Sequence, residues 1–168
     1  MKKYRPILVF LNLIMLLGFV NYSIFEKEAL LEEGRLVLLR LAPVDPRSLM
    51  QGDYMELRYD MHEIERDETL PKKGYCILKK DTLNIFKIVR LQEKPQPLKS
   101  DEVLLKYASG KRGVSLGAES YFFEEGTADV YDEAKFGGLK IDKEGNSLLF
   151  GLFNNDYLLL EPKNKENL

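Results

Sequence analysis

The chain has 168 residues, 25 of them basic and 27 acidic, for a formal net charge of -2; that is room for one membrane segment and one domain with a buried core, and too little for a two-domain soluble enzyme. The two signs are spread along the chain without a long block of either, which argues against a nucleic-acid partner, because such a partner leaves a basic stripe as its electrostatic footprint. Cys76 is the single cysteine, so the chain makes no internal disulfide and no multi-thiolate metal site, and the role that suits Cys76 is a small apolar residue in a strand.

From Ile7 to Phe25 the sequence is apolar apart from Asn12, Asn21 and Ser23. Nineteen helical residues rise roughly 28 Å, close to the hydrocarbon thickness of a bilayer. Lys2, Lys3 and Arg5 precede this run, whereas Glu26, Glu28, Glu32 and Glu33 follow it with only Lys27 among them. The positive-inside bias then leaves the N-terminus in the cytoplasm and puts the rest outside. Residues 21–25 lack the small-x-small pattern of a cleavage site, so the expectation is an uncleaved anchor rather than a signal peptide. The helix should run on through Glu26-Lys-Glu-Ala-Leu-Leu-Glu-Glu as a stalk and stop at Gly34, a residue suited to the left-handed C-terminal position. The predicted organisation is a cytoplasmic N-terminus at 1–6, a transmembrane helix at 7–25, a helical stalk at 26–34, a β domain at 35–161 and a disordered tail at 162–168.

Beyond Gly34 the pattern changes to short alternating runs separated by turn residues, which predicts a mainly β domain, a compact antiparallel barrel or sandwich with one short helix. Strands are expected near 35–42, 53–60, 74–80, 83–91, 102–108, 113–123, 138–142, 147–153 and 157–161. Alternation puts Val37, Leu39 and Leu41 on one face of the first and Met55, Leu57 and Tyr59 on one face of the second, and these six are the predicted core. Lys80-Asp-Thr, Ser109-Gly-Lys-Arg-Gly and Asp142-Lys-Glu-Gly-Asn read as hairpin turns. A helix of two or three turns is expected over 127–136, with Thr127 as its cap, Asp129 at its positive end and Gly137-Gly138 ending it. Residues 60–71, dense in charge, and 92–100, with two prolines, read as exposed loops.

Three segments invite chemistry. In Pro43-Val-Asp-Pro-Arg-Ser-Leu-Met-Gln-Gly-Asp the prolines fix the backbone, Asp45 can accept backbone N–H groups, and Gly52 allows a positive backbone angle. A structural loop accounts for all of this; the functional alternative is a polar docking patch made of Asp45, Arg47 and Asp53. The stretch from Pro46 also resembles the Pro-x-Leu-x-x-Gly-Asp box of membrane-anchored signal peptidases, with one extra residue between proline and glycine and Pro43 where the nucleophilic serine would stand. Ser48 is the substitute nucleophile, and no lysine base can be assigned to it. The only histidine, His62, lies among acids in 58–68, in a spacing that fits no established metal loop and reads as solvated surface. In Gly117-Ala-Glu-Ser-Tyr-Phe-Phe-Glu-Glu-Gly-Thr, Tyr121 and Phe123 should face one side and Ser120 and Phe122 the other, so that the aromatics pack both faces of the sheet, and Gly126 should turn into the helix. Glu119, Glu124 and Glu125 are acids in principle, but neighbours in a strand point opposite ways and form no glycosidase pair. Neither a cofactor nor a metal is expected.

Gly52-Asp53-Tyr54-x-x-Leu57-x-Tyr59 matches every fixed position of the motif for which the GDYXXLXY family is named, and the chain resembles that family. Leu41-Ala-Pro-Val-Asp-Pro-Arg-Ser-Leu, Gly117-Ala-Glu-Ser-Tyr-Phe-x-x-Glu-Gly and the single N-terminal anchor are similar to its pattern too, with Ala118 where members often have Ile or Val. The resemblance implies a bacterial, membrane-anchored protein, and the frequent encoding of members beside polytopic membrane proteins implies such a protein as partner. It implies no particular enzymatic activity. The motif residues singled out for binding are Asp45, Arg47, Gly52, Asp53, Tyr54, Leu57, Tyr59, Glu119, Tyr121, Glu125 and Gly126; alternation leaves Asp53 and Tyr54 available for recognition and turns Leu57 and Tyr59 inward. The leading expectation is a non-enzymatic accessory subunit of an integral-membrane partner, in the cytoplasmic membrane with its domain periplasmic or extracellular. A membrane-bound hydrolase and a small-ligand or envelope sensor are the alternatives.

Overall fold

A computed structural model describes residues 5–42, 54–61, 71–81, 85–110 and 113–162. The helix α1 runs unbroken over Arg5–Glu33. Its segment Ile7–Glu33 is long and apolar enough to cross a membrane, and its most apolar stretch is not buried by the rest of the protein. Its last turn docks on the β domain: Leu30 is buried, and the Gly34 amide donates to the Leu30 carbonyl at 3.0 Å. The helix ends where expected and for a different reason, because Gly34 does not take a left-handed angle. A β-carbon there would collide with the Leu30 carbonyl oxygen. Lys140 then donates its ammonium to the Gly34 carbonyl at 3.1 Å, a cation at the negative end of the helix dipole.

The domain is a curled, mostly antiparallel sheet, a half-barrel, with a two-stranded ribbon beside it. Chain order gives β1 (Arg35–Arg40), β2 (Tyr54–Glu56), β3 (Lys73–Lys80), β4 (Phe86–Gln92), β5 (Glu102–Gly110), β6 (Gly113–Ser115), β7 (Ser120–Phe122), α2 (Ala128–Tyr131), β8 (Phe136–Ile141) and β9 (Ser147–Phe153). The seven-stranded sheet has the order β6-β5-β3-β4-β1-β8-β9, and β2 pairs with β7 separately. One pair departs from the expected antiparallel plan: β1 and β4 run parallel, with Leu39 opposite Phe86. The three predicted hairpins form, β3 with β4, β5 with β6 and β8 with β9. In the last, the Asp142 carboxylate accepts the amides of Glu144 and Asn146 at 3.0 and 2.8 Å.

All six predicted core residues point inward, with Leu41 half-buried. The main core fills the concave side of the sheet from Val37, Leu39, Cys76, Leu78, Leu105 and Leu139, none more than 3% exposed. Each such side chain stabilises the fold by about 1.5–3 kcal/mol. Cys76 sits in β3 as expected, and burial pushes its thiol up to about 12, far from a reactive thiolate.

Four expectations need correction. Residues 113–123 are two strands in two different sheets, β6 and β7, divided by a turn in which Gly117 has φ +76. The helix expected over 127–136 is the single turn α2, and Thr127 does not cap it; the Thr127 hydroxyl donates instead to the Glu124 carbonyl at 2.7 Å. Gly137 and Gly138 belong to β8 and pair with Leu39 and Leu38, so pairing with β1 prevails over helix continuation. Residues 157–161 form no strand, only a bridge from Leu159 to Phe153 after a turn.

Candidate functional site

The two most distinctive stretches of the sequence are built onto each other. Tyr54, Met55 and Glu56 of β2 stand opposite Phe122, Tyr121 and Ser120 of β7. Past the strand end, the Leu57 amide donates to the Glu119 carbonyl at 2.7 Å, and the Tyr59 hydroxyl donates to the Ala118 carbonyl at 2.7 Å. On the opposite edge the Asp60 amide donates to the Arg40 carbonyl at 2.9 Å and the Ala42 amide to the Arg58 carbonyl at 2.7 Å. The segment 54–60 is therefore a tie between the end of β1 and the 116–122 turn and strand.

Alternation gives the tie two faces. Met55, Leu57 and Tyr59 are buried, while Glu56 and Arg58 are exposed and 3.9 Å apart. The Tyr59 ring lies close against β8: a β-carbon on Gly137 would stand 2.9 Å from its Cε1. Burial, and secondarily the charge of Glu119, raise the Tyr59 phenol above its ordinary range, so it stays a neutral donor to Ala118. Glu119 is a turn anchor, its carboxylate accepting the Leu116 amide and, at 3.0 Å, the Ser115 hydroxyl. Tyr121 packs with Phe123 and Tyr131, edge to face on Tyr131 at 5.1 Å, and holds α2 against the tie. Burial first, then a hydrogen bond to Tyr131, push its phenol up to about 12.

The outer face carries Tyr54 and Phe122, whose rings lie 5.7 Å apart at 35°. Phe122 is 73% exposed. The expectation that the 121–123 aromatics pack both faces is thus half right: Tyr121 and Phe123 pack inward, and Phe122 is left in solvent beside Tyr54. Glu125 and Gly126 form the exposed turn before α2, Gly126 with φ +81. Asp45, Arg47, Gly52 and Asp53, together with Ser48 and His62, lie outside the described residues.

Beside the tie is a cleft of about 470 Å³ between 55–60 and 131–136. Arg40, Arg58 and Lys135 line it with Glu56, Asp60 and Asp132, over a floor that includes Met55 and Leu57. Its lining sets three cations against three carboxylates, an arrangement suited to charge pairing with a polar ligand or partner. Among the described residues, no three of His, Cys, Asp and Glu come together as metal ligands. The sequence did not point to Arg40, Lys135 or Lys140; their roles arise from contacts across the fold, such as Gly34 with Lys140, for which local spacing carries no signal.

In comparison with known proteins, the family model described as GDYXXLXY protein matches residues 16–152. No curated protein and no solved structure matches the chain.

Proposed function

The chain belongs to the GDYXXLXY family, and from the way the family motif is divided between two faces we propose that it is a non-enzymatic, membrane-anchored accessory subunit. Its helix holds the β domain at the outer surface of a bacterial cytoplasmic membrane, and the outer face of the β2–β7 ribbon docks an integral-membrane partner. The observation that carries this reading is the exposed Phe122 ring beside the half-buried Tyr54 ring, set by strand register on the face that the core does not use. An aromatic pair held on a rigid ribbon is a typical anchor for a protein partner. The orientation is supported by Lys2, Lys3 and Arg5 before the helix and the acids after it, and the buried Leu30 and the Lys140 bond to Gly34 hold the domain against the end of the helix.

The test is copurification from native membranes in mild detergent, with protease accessibility of the domain in intact spheroplasts as the topology readout. Wild type should be cleaved from outside and bring down one polytopic protein, recovered reciprocally with that protein as bait. Asp53→Ala and Tyr54→Ala should stay folded and lose it. Retention of the same partner by both variants would sink the reading.

A further inference from the structure

A second, larger cleft lies where α1 leaves its apolar span, and we propose that it binds a zwitterionic phospholipid drawn partly out of the outer leaflet. This rests on the anchoring reading above. The cleft measures about 1080 Å³, slightly more than the usual range for small-molecule sites. One wall is helix, including Tyr22, Phe25, Ala29 and Leu30; the other includes Leu98, Val103 and Leu104 together with the 142–146 hairpin. Tyr22 and Phe25 end the apolar run and are 62% and 68% exposed, so the same helix face that meets acyl chains continues as the wall of the cleft. Tyrosine at that level suits the headgroup boundary.

The charges decide the ligand class. Glu102 lines the cleft but is held by Arg90 at 2.6 and 2.8 Å and by the Lys99 amide at 2.9 Å, and Asp142 is committed to its own hairpin. The remaining lining charges are Lys27, Arg35 and Lys143 against Glu26, Glu33 and Glu144. A balanced set matches a phosphate and an ammonium on one molecule, and disfavours a purely anionic headgroup. The walls are fixed relative to one another: Lys140 ties the helix end, and the Lys106 amide donates to the Gly145 carbonyl at 2.8 Å, holding the hairpin over β5.

The experiment places a photocrosslinking amino acid at Leu98 of the full chain, in vesicles of phosphatidylethanolamine and phosphatidylglycerol in equal parts and in native membranes, with carbonate extraction alongside. The expected result is a phosphatidylethanolamine adduct several-fold over phosphatidylglycerol. Lys143→Glu, at an exposed hairpin tip, should lower its yield about tenfold, the size of one charge-assisted hydrogen bond, and Ala29→Trp, which fills the cleft, should do likewise. Equal labelling of both lipids, a protein adduct in native membranes, or a yield that neither variant changes would overturn the proposal. A chain that resists extraction yet gives no lipid adduct overturns the lipid site alone, whereas a chain extracted by carbonate overturns the anchoring reading and the site with it.

Discussion

The inner and outer faces of the segment 54–60 have the same backbone and opposite surroundings. Inward, Leu57 and Tyr59 are 2% and 7% exposed and fixed by the bonds to Glu119 and Ala118. Outward, Tyr54 is half-buried beside a Phe122 ring that is itself 73% exposed, and Glu56 and Arg58 make a long surface pair. A motif that fixes both sets of positions is therefore two devices in one strand. Its leucine and second tyrosine hold the ribbon to the half-barrel, and its first tyrosine remains at the surface.

That contrast can be broken from the inside first. Leu57→Ala leaves a cavity between Met55, Tyr131 and Leu152 and should destabilise the detergent-solubilised full chain by about 2–5 kcal/mol in urea unfolding. Gly137→Ala presses a methyl group into the Tyr59 ring and should cost about 1–3 kcal/mol by the same measurement; an unchanged midpoint would mean that the ring is free to move. Tyr59→Phe leaves the Ala118 carbonyl without its buried donor, for a loss of about 1–2 kcal/mol.

A pH series sharpens the comparison from outside the motif. Glu102, with a side chain only 3% exposed, is held down to about 2 from an ordinary 4.5, chiefly by its hydrogen bonds to Arg90 and then to the Lys99 amide. A depressed carboxylate stabilises the fold above its unfolded value and loses that contribution as pH falls towards its folded value. The stability gap between wild type and Glu102→Gln should accordingly be full at neutral pH, shrink below about pH 4.5 and be nearly closed at about pH 2. A gap that stays constant over that range would remove the Arg90 pair as its cause. The smallest effect on stability belongs to the outer face: Phe122→Ser gives up one cross-strand aromatic contact and should cost about 0.5–1 kcal/mol.

Much of this division was legible before any coordinates, because period-two alternation is a local property. It placed Leu57 and Tyr59 inward and Tyr54 outward, and it separated Tyr121 and Phe123 from Phe122. The ribbon itself was not legible. The 113–123 run looks like one strand by composition, and only the turn at Gly117, locked by the Glu119 carboxylate, sends β6 and β7 into different sheets. Residues 127–138 were misread for the complementary reason: Thr127, Asp129 and two glycines are local helix punctuation, while the pairing of Phe136–Ile141 with β1 is a contact between segments about a hundred residues apart in the chain. The partnership of Tyr54 with Phe122 and the cation on the end of α1 from Lys140 likewise depend on register between distant segments.

The most direct test sets the two faces against each other in one membrane preparation, comparing partner copurification by wild type and Phe122→Ser with unfolding midpoints read on the same samples. The account predicts that Phe122→Ser keeps a cooperative unfolding transition within about 1 kcal/mol of wild type and loses the polytopic partner. A folded Phe122→Ser protein that still brings down that partner at the wild-type level would contradict it.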